Sequence, residues 1–219
     1  MLSKKRMSKE NDNDITSWIF QNINPNVPEN VVKNVIPEKF DTYFKLYFPI
    51  IFENEDTGQS RKISYHEIAN LGGLTFEKNF SAKSFPDYIS PFITASERDE
   101  YEMLEYLQSI LSPKQSIIYY GLGGENLPEK FIDPWASIGP LNSLSNIVKA
   151  MNEFAKMEIV NFPNYIFPRD HSWLIGNIIS QSGVLILGCG KELAERIRAQ
   201  SEIEFIELEP DDEYFDFGD

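Results

Sequence analysis

Cysteine is almost absent from this chain. Cys189 is the single one, so no intrachain disulfide can form. Histidine is nearly as scarce, with only His66 and His171. One cysteine and two histidines far apart in the chain give no metal-ligand spacing, and no metal or other cofactor is expected. No apolar run approaches the roughly 18 residues that span a bilayer. The opening MLSKKRMSKENDND lacks the apolar stretch of a secretory signal. These absences lead to the expectation of a soluble, cytoplasmic protein in a reducing compartment. Positive charge is also short: 20 Lys and Arg face 34 Asp and Glu, for a net charge of -14. Such a chain is repelled by nucleic-acid phosphates and by anionic membrane surfaces. Nucleic acid and membrane are therefore not expected as partners. A basic protein is.

Apolar material is plentiful. Of 219 residues, 42% are hydrophobic and 13% aromatic, enough for one sizeable core or two small ones. Residues 1–13 carry Lys4, Lys5, Arg6 and Lys9 and read as a disordered basic tail. Asp14–Asn22 reads as a short amphipathic helix capped by Asp14, with Ile15, Trp18 and Ile19 on one face. Val31–Ile36 reads as a strand. Phe40–Ile51 alternates Phe40, Thr42, Phe44, Leu46 and Phe48 against Asp41, Tyr43, Lys45 and Tyr47. That predicts a strand near the sheet centre, ended by Pro49, with a helix as the alternative because an apolar run of this length is ambiguous. Glu53–Lys62 reads as a polar loop. Ser64–Leu71 predicts a helix with Ser64 as N-cap, Glu67 at the capping-box position, and Gly72 and Gly73 as the stop.

Ser96–Leu111 has the pattern of a helix capped by Ser96, with Tyr101, Leu104, Leu107 and Leu111 as its buried stripe. Gln115–Tyr120 predicts a strand followed by a turn at Gly121–Gly124. Phe131–Ile138 reads as another strand, and Leu144–Met157 as a helix. The most strongly patterned block comes last. Strands at Ser172–Ile179 and Gly183–Leu187, a helix at Lys191–Gln200 and a strand at Ile203–Leu208 make a β–β–α–β unit. After Arg198 there is no positive charge, and residues 209–219 form an acidic tail in which Tyr214, Phe215 and Phe217 are interleaved. Such a tail is either disordered or docks on a partner. Strands and helices are mixed without strict alternation. The expected fold is one α+β domain over residues 14–208, with a mixed or mainly antiparallel sheet and flanking helices.

Few motifs carry chemistry. Gly183–Gly190 (GVLILGCG) looks like the strand and Gly-x-Gly turn with which Rossmann-type methyltransferases approach S-adenosylmethionine. It comes too late in the chain for that fold. It lacks the third glycine, and no acidic residue follows at the place a ribose needs. Gly188 and Gly190 then serve close packing or positive φ. Gly121–Gly124 is followed by Glu125 and Pro128, not by a helix and a lysine, and reads as a turn. Asp170 and His171, with Ser172 and Cys189 nearby in the pattern, fit no recognisable nucleophile motif. Asp170, His171, Trp173, Gly188 and Gly190 are the ligand-site candidates, and no catalytic residue is assigned.

Several segments, in order, resemble a family of bacterial hypothetical proteins. Val35–Pro49 (VIPEKFDTYFKLYFP) is similar to its P-x-x-F-x-x-Y opening. Ser64–Gly73 resembles its next short helix, and Gln115–Gly124 (QSIIYYGLGG) its middle strand, where Tyr119 and Tyr120 stand in place of a frequent tryptophan. Pro163–Trp173 (PNYIFPRDHSW) resembles its P-N-x-x-x-P-x-D-x-x-W signature. Leu187–Leu193 and Ile203–Asp212 resemble its Gly-rich turn, helix and acidic ending. After Trp173 the family shows acidic residues where this chain has Asn177, Ser180 and Gln181. The resemblance implies a shared fold and no particular activity. The functional expectation is a non-enzymatic, acidic protein-binding module of immunity or inhibitor type. The alternative is an enzyme or small-molecule binder with a site near the turn Gly188–Lys191.

Overall fold

The computed structural model describes residues 9–47, 50–54, 59–80, 84, 93–94, 107–108, 110–111, 116–123, 127, 129–151, 163–177, 184–201 and 203–214. Its centre is a seven-stranded sheet in which every pairing is antiparallel. In chain order its strands are β1 (Thr42–Tyr47), β5 (Ile117–Gly121), β6 (Trp135–Gly139), β7 (Tyr165–Pro168), β8 (Trp173–Asn177), β9 (Val184–Cys189) and β10 (Glu204–Leu208). Their spatial order is β10-β1-β9-β8-β7-β5-β6. A smaller sheet joins β2 (Ile50–Asn54), β3 (Gln59–Ile63) and β4 (Ile93–Thr94) in the order β3-β2-β4. The α+β class and the antiparallel sheet agree with the sequence pattern.

The final β–β–α–β unit is present as read. Helix α5 (Lys191–Arg198) connects β9 to β10. Both strands run antiparallel to β1, which lies between them. The two are therefore parallel to each other, and the unit is a split β–α–β. This seats β1 between two partners, one strand from the sheet edge.

Both faces of the sheet are covered, so the chain has two cores. One face gathers Phe44, Leu46, Tyr119, Ile175, Leu187 and Cys189 under α4 (Leu144–Met151), α5 and the Leu107–Leu111 segment. The other gathers Tyr43, Tyr47, Phe167, Leu174 and Ile186 under α1 (Lys9–Phe20), α2 (Val32–Val35) and α3 (Tyr65–Gly72). An alternating strand in a one-sided sheet shows its second face to water. Here the second set, Tyr43, Lys45 and Tyr47, is as buried as the first.

Three segments differ from the sequence reading. Val31–Ile36 is not a strand: Val32–Val35 is one helical turn, flanked by extended Val31 and Ile36. Val35 at its end and Ile36 just after it land on Gly176 and Gly188 of two adjacent strands. A Cβ on Gly176 would lie 2.8 Å from Val35 Cγ1, and one on Gly188 would lie 2.4 Å from Phe40 Cδ2 and 2.7 Å from Ile36 Cγ2. Glu53–Lys62 is not a loop; it is largely the β2–β3 hairpin, with Phe52 opposite Arg61. Gln59 to Lys62 are exposed, so the strand carries no apolar alternation to announce it. Helix α1 begins at Lys9, which puts Asp14 inside it and not at its cap. Acidic residues suit a helix N-terminus, so the KENDND run extends the helix. Residues 1–8 lie outside the described residues.

Helix α3 forms as read. Ser64 Oγ accepts a hydrogen bond from Glu67 N at 3.0 Å, and Gly73 closes the helix in the left-handed region at φ 66. Only half the capping box forms, because the Glu67 carboxylate binds Arg61. Of the helix read at Ser96–Leu111, only Leu107, Gln108, Ile110 and Leu111 are described. They include the Leu111 N to Leu107 O bond, 2.8 Å, of a helical turn. Ser96, Tyr101 and Leu104 lie outside the described residues, as do Phe154 and Ala155 of the helix read to Met157. The strand read at Phe131–Ile138 starts later, at Trp135, after a short 3-10 turn at Glu129–Phe131.

Candidate functional site

The five candidate residues fall at one end of the large sheet, because Trp173 pairs with Cys189 and Cys189 with Thr42. They do not converge. Trp173 is 4% exposed and packs in the core under α4 and α5. Asp170 and His171 belong to the turn from β7 to β8. His171 takes a left-handed φ of 55. Its N–H donates to Pro168 O at 3.0 Å, and the Asp170 carboxylate accepts from Ser172 N at 3.0 Å. The His171 ring stacks on Trp18 of α1, centroids 4.1 Å apart and planes within 17°. Lys39 Nζ lies 4.0 Å from the Trp18 ring centroid. Burial first, and then the Lys39 charge, push the His171 imidazole below its ordinary value, against the pull of Asp170. The imidazole ties the turn to α1.

Gly188 is the floor under Phe40 and Ile36, which is the close-packing role. Gly190 precedes α5 with an extended φ of -78 and ψ of 166. The helix start receives a carboxylate from its own chain: Asp41 Oδ2 accepts from Lys191 N at 3.3 Å. That is the position an anionic ligand would take. Cys189 is buried, and burial pushes its thiol up to about 12, so it is held as a neutral thiol and not as a nucleophile. His66 is an exposed residue of α3, its ring edge-on to Phe76 at 5.5 Å. Among the described residues, no group of three or more His, Cys, Asp or Glu gathers as a metal site.

Sequence reasoning missed Lys45. It is fully buried in β1. Its Nζ donates to Phe80 O at 2.5 Å, Tyr214 O at 2.6 Å and Lys78 O at 3.1 Å. Three N–H donors thus meet three carbonyls from two distant segments. The carbonyls favour the ammonium, but burial outweighs them and pushes Lys45 down to about 7. The one signal in the sequence was a lysine between two tyrosines on an otherwise aromatic strand.

Residues 209–214 are not a free tail. Val32 N donates to Asp212 O, Lys33 N to Pro210 O and Tyr214 N to Asn30 O, at 2.9 to 3.0 Å. Val31 and Glu213 form an antiparallel bridge. Tyr214 is fully buried, and its hydroxyl donates to Glu29 O at 2.5 Å. Lys33 pairs with Asp211, and Lys78 with Asp212 at 2.5 Å. The docking brings two chain segments into one acidic surface, with Glu29, Glu38, Asp41, Glu209, Asp211 and Glu213 all exposed. Buried Tyr43 senses it: burial raises its phenol, and the charges of Glu38, Asp41 and Glu209 raise it further. Residues 215–219 lie outside the described residues.

No protein-family model, no curated protein and no solved structure matches the chain.

Proposed function

We propose that this chain is a non-catalytic, acidic protein-binding module that covers a basic site on a partner, in the manner of an immunity or inhibitor protein. The observation that carries the reading is the acidic surface built by residues 29–41 and the docked residues 209–214. Six exposed carboxylates share it; of the lysines in the same stretch, Lys33 is paired with Asp211 and Lys39 lies over the Trp18 ring. Charge of one sign on a fixed surface steers a basic partner to the right face and raises the rate of encounter. The rigidity comes from the backbone hydrogen bonds to α2 and from buried Tyr214.

The small-molecule reading near Gly188–Lys191 has less support. Phe40 and Ile36 cover Gly188, and Asp41 sits at the start of α5. A nucleotide or S-adenosylmethionine site there would raise the melting temperature on ligand addition. No shift is expected across such a panel, and a saturable shift would revive that reading.

The binding-module reading is tested by capture from a lysate of the source organism at low and at high salt. One basic protein held at low salt and released at high salt is the expected outcome, since screening weakens exposed charge pairs. Capture indifferent to salt would count against it.

A further inference from the structure

The acidic ending binds its own body as a peptide binds a receptor. Pro210, Asp211, Asp212, Glu213 and Tyr214 are each recognised by a group far away in the sequence. Two carboxylates meet two lysines, Asp211 with Lys33 and Asp212 with Lys78. The backbone at 210, 212 and 213 pairs with the stretch Val31–Lys33. The tyrosine is the anchor. Its ring is fully buried, its hydroxyl donates to Glu29 O, its N–H donates to Asn30 O, and its carbonyl takes Lys45 Nζ. Carbonyls received by the first amides of α2, one antiparallel bridge, a buried aromatic and paired charges are elements by which a protein recognises a peptide.

From this we infer that Val31–Lys33, Lys45 and Lys78 line a groove for a short acidic peptide with a tyrosine anchor, and that Pro210–Tyr214 is its resident occupant in cis. The ligand class is an acidic segment of another protein with the same pattern, two carboxylates followed closely by a tyrosine. The tether gives the resident segment an effective concentration of about millimolar order. A peptide in trans therefore binds only when the resident grip is weakened.

The probe is a labelled synthetic peptide with the sequence of residues 209–219, titrated into the full chain and followed by fluorescence anisotropy. Two variants loosen the resident segment: Tyr214→Ala, and Asp211→Asn with Asp212→Asn. The second pair leaves the buried tyrosine in place and changes only exposed Asp211 and half-buried Asp212, whose carboxylate also accepts from Glu209 N, so it reports even if loss of the tyrosine unfolds the chain. The peptide is expected to bind the folded variants at least about tenfold tighter than wild type, the factor that one lost ion-assisted hydrogen bond supplies. The same peptide with its own tyrosine changed to alanine is expected not to bind. Equal binding to wild type and variants, no binding to either, or binding indifferent to the peptide's tyrosine would each overturn the inference. The free chain and the peptide suffice, so the outcome is independent of whether a basic partner exists.

Discussion

At the scale of single residues, the fold turns on a few side chains whose surroundings are set by distant parts of the chain. Lys45 is the clearest. Lys45→Met is expected to take the Nζ donor from three carbonyls, of which Phe80 O keeps the Tyr47 hydroxyl at 2.9 Å, and to cost about 2 kcal/mol of stability in a denaturant titration. The pH dependence has a definite sign. The unfolded chain holds the Lys45 proton at the ordinary 10.5, and the folded chain at about 7. Folding therefore releases a proton between those values, and the Lys45 contribution to stability rises with pH across that window, by up to about 1.4 kcal/mol per unit. Below pH 7 both states are protonated and the burial cost is present in full. Unfolding curves from pH 7 to 10 should show this rise in wild type and lack it in Lys45→Met; parallel curves would contradict the assignment. Gly188→Ala is expected to lose about 2 kcal/mol by overpacking, since Phe40 and Ile36 stand where its Cβ would go. An unchanged melting temperature would show that the contact gives way freely. The alternation in β1 was legible, but not that both its faces are covered, because the cover over Lys45 comes from residues 78–80 and 214.

Local signals explain one element well and fail on another. Helix α3 was legible because its start and stop signals flank it directly, at Ser64 and Gly73. Removing the cap with Ser64→Ala should cost about 1 kcal/mol. Its second support was invisible in sequence: the Glu204 carboxylate accepts from Tyr65 N at 2.7 Å and His66 N at 2.6 Å, from a strand far along the chain. Glu204→Ala should then destabilise the chain by about 1 to 2 kcal/mol, with faster amide exchange in the first turn of α3. Exchange unchanged at Tyr65 and His66 would show that the carboxylate does not hold the helix start. The stretch at Val32–Val35 misled because valine favours strands in isolation; the trough over Gly176 and Gly188 selects a helical turn instead. Among the candidate site residues, Trp173 was legible as a strand residue, whereas Gly188, read in the turn after a strand, lies within β9. The sequence could not tell that the Trp173 ring and the His171 ring pack on opposite faces, since that requires knowing where α1 lies.

Over the whole molecule, two cores on the two faces of one sheet make a rigid support for a charged surface. The acidic ending that suggested either disorder or a partner serves first as part of the body, and it is this docking that concentrates the carboxylates. The proposed binding site is therefore a surface and not a cleft. The most direct test compares two chains in the same capture experiment, wild type and a variant with Glu38, Glu209 and Glu213 changed to Gln. These three are exposed and make no contact that holds residues 210–214 through their side chains in the hydrogen bonds described above. Wild type should retain a basic protein at low salt and lose it at high salt, and the variant should retain several-fold less at low salt while melting within a degree or two of wild type, as surface substitutions generally do. Equal retention by both chains, or retention that ignores salt, would contradict the claim that this acidic surface is where the protein works.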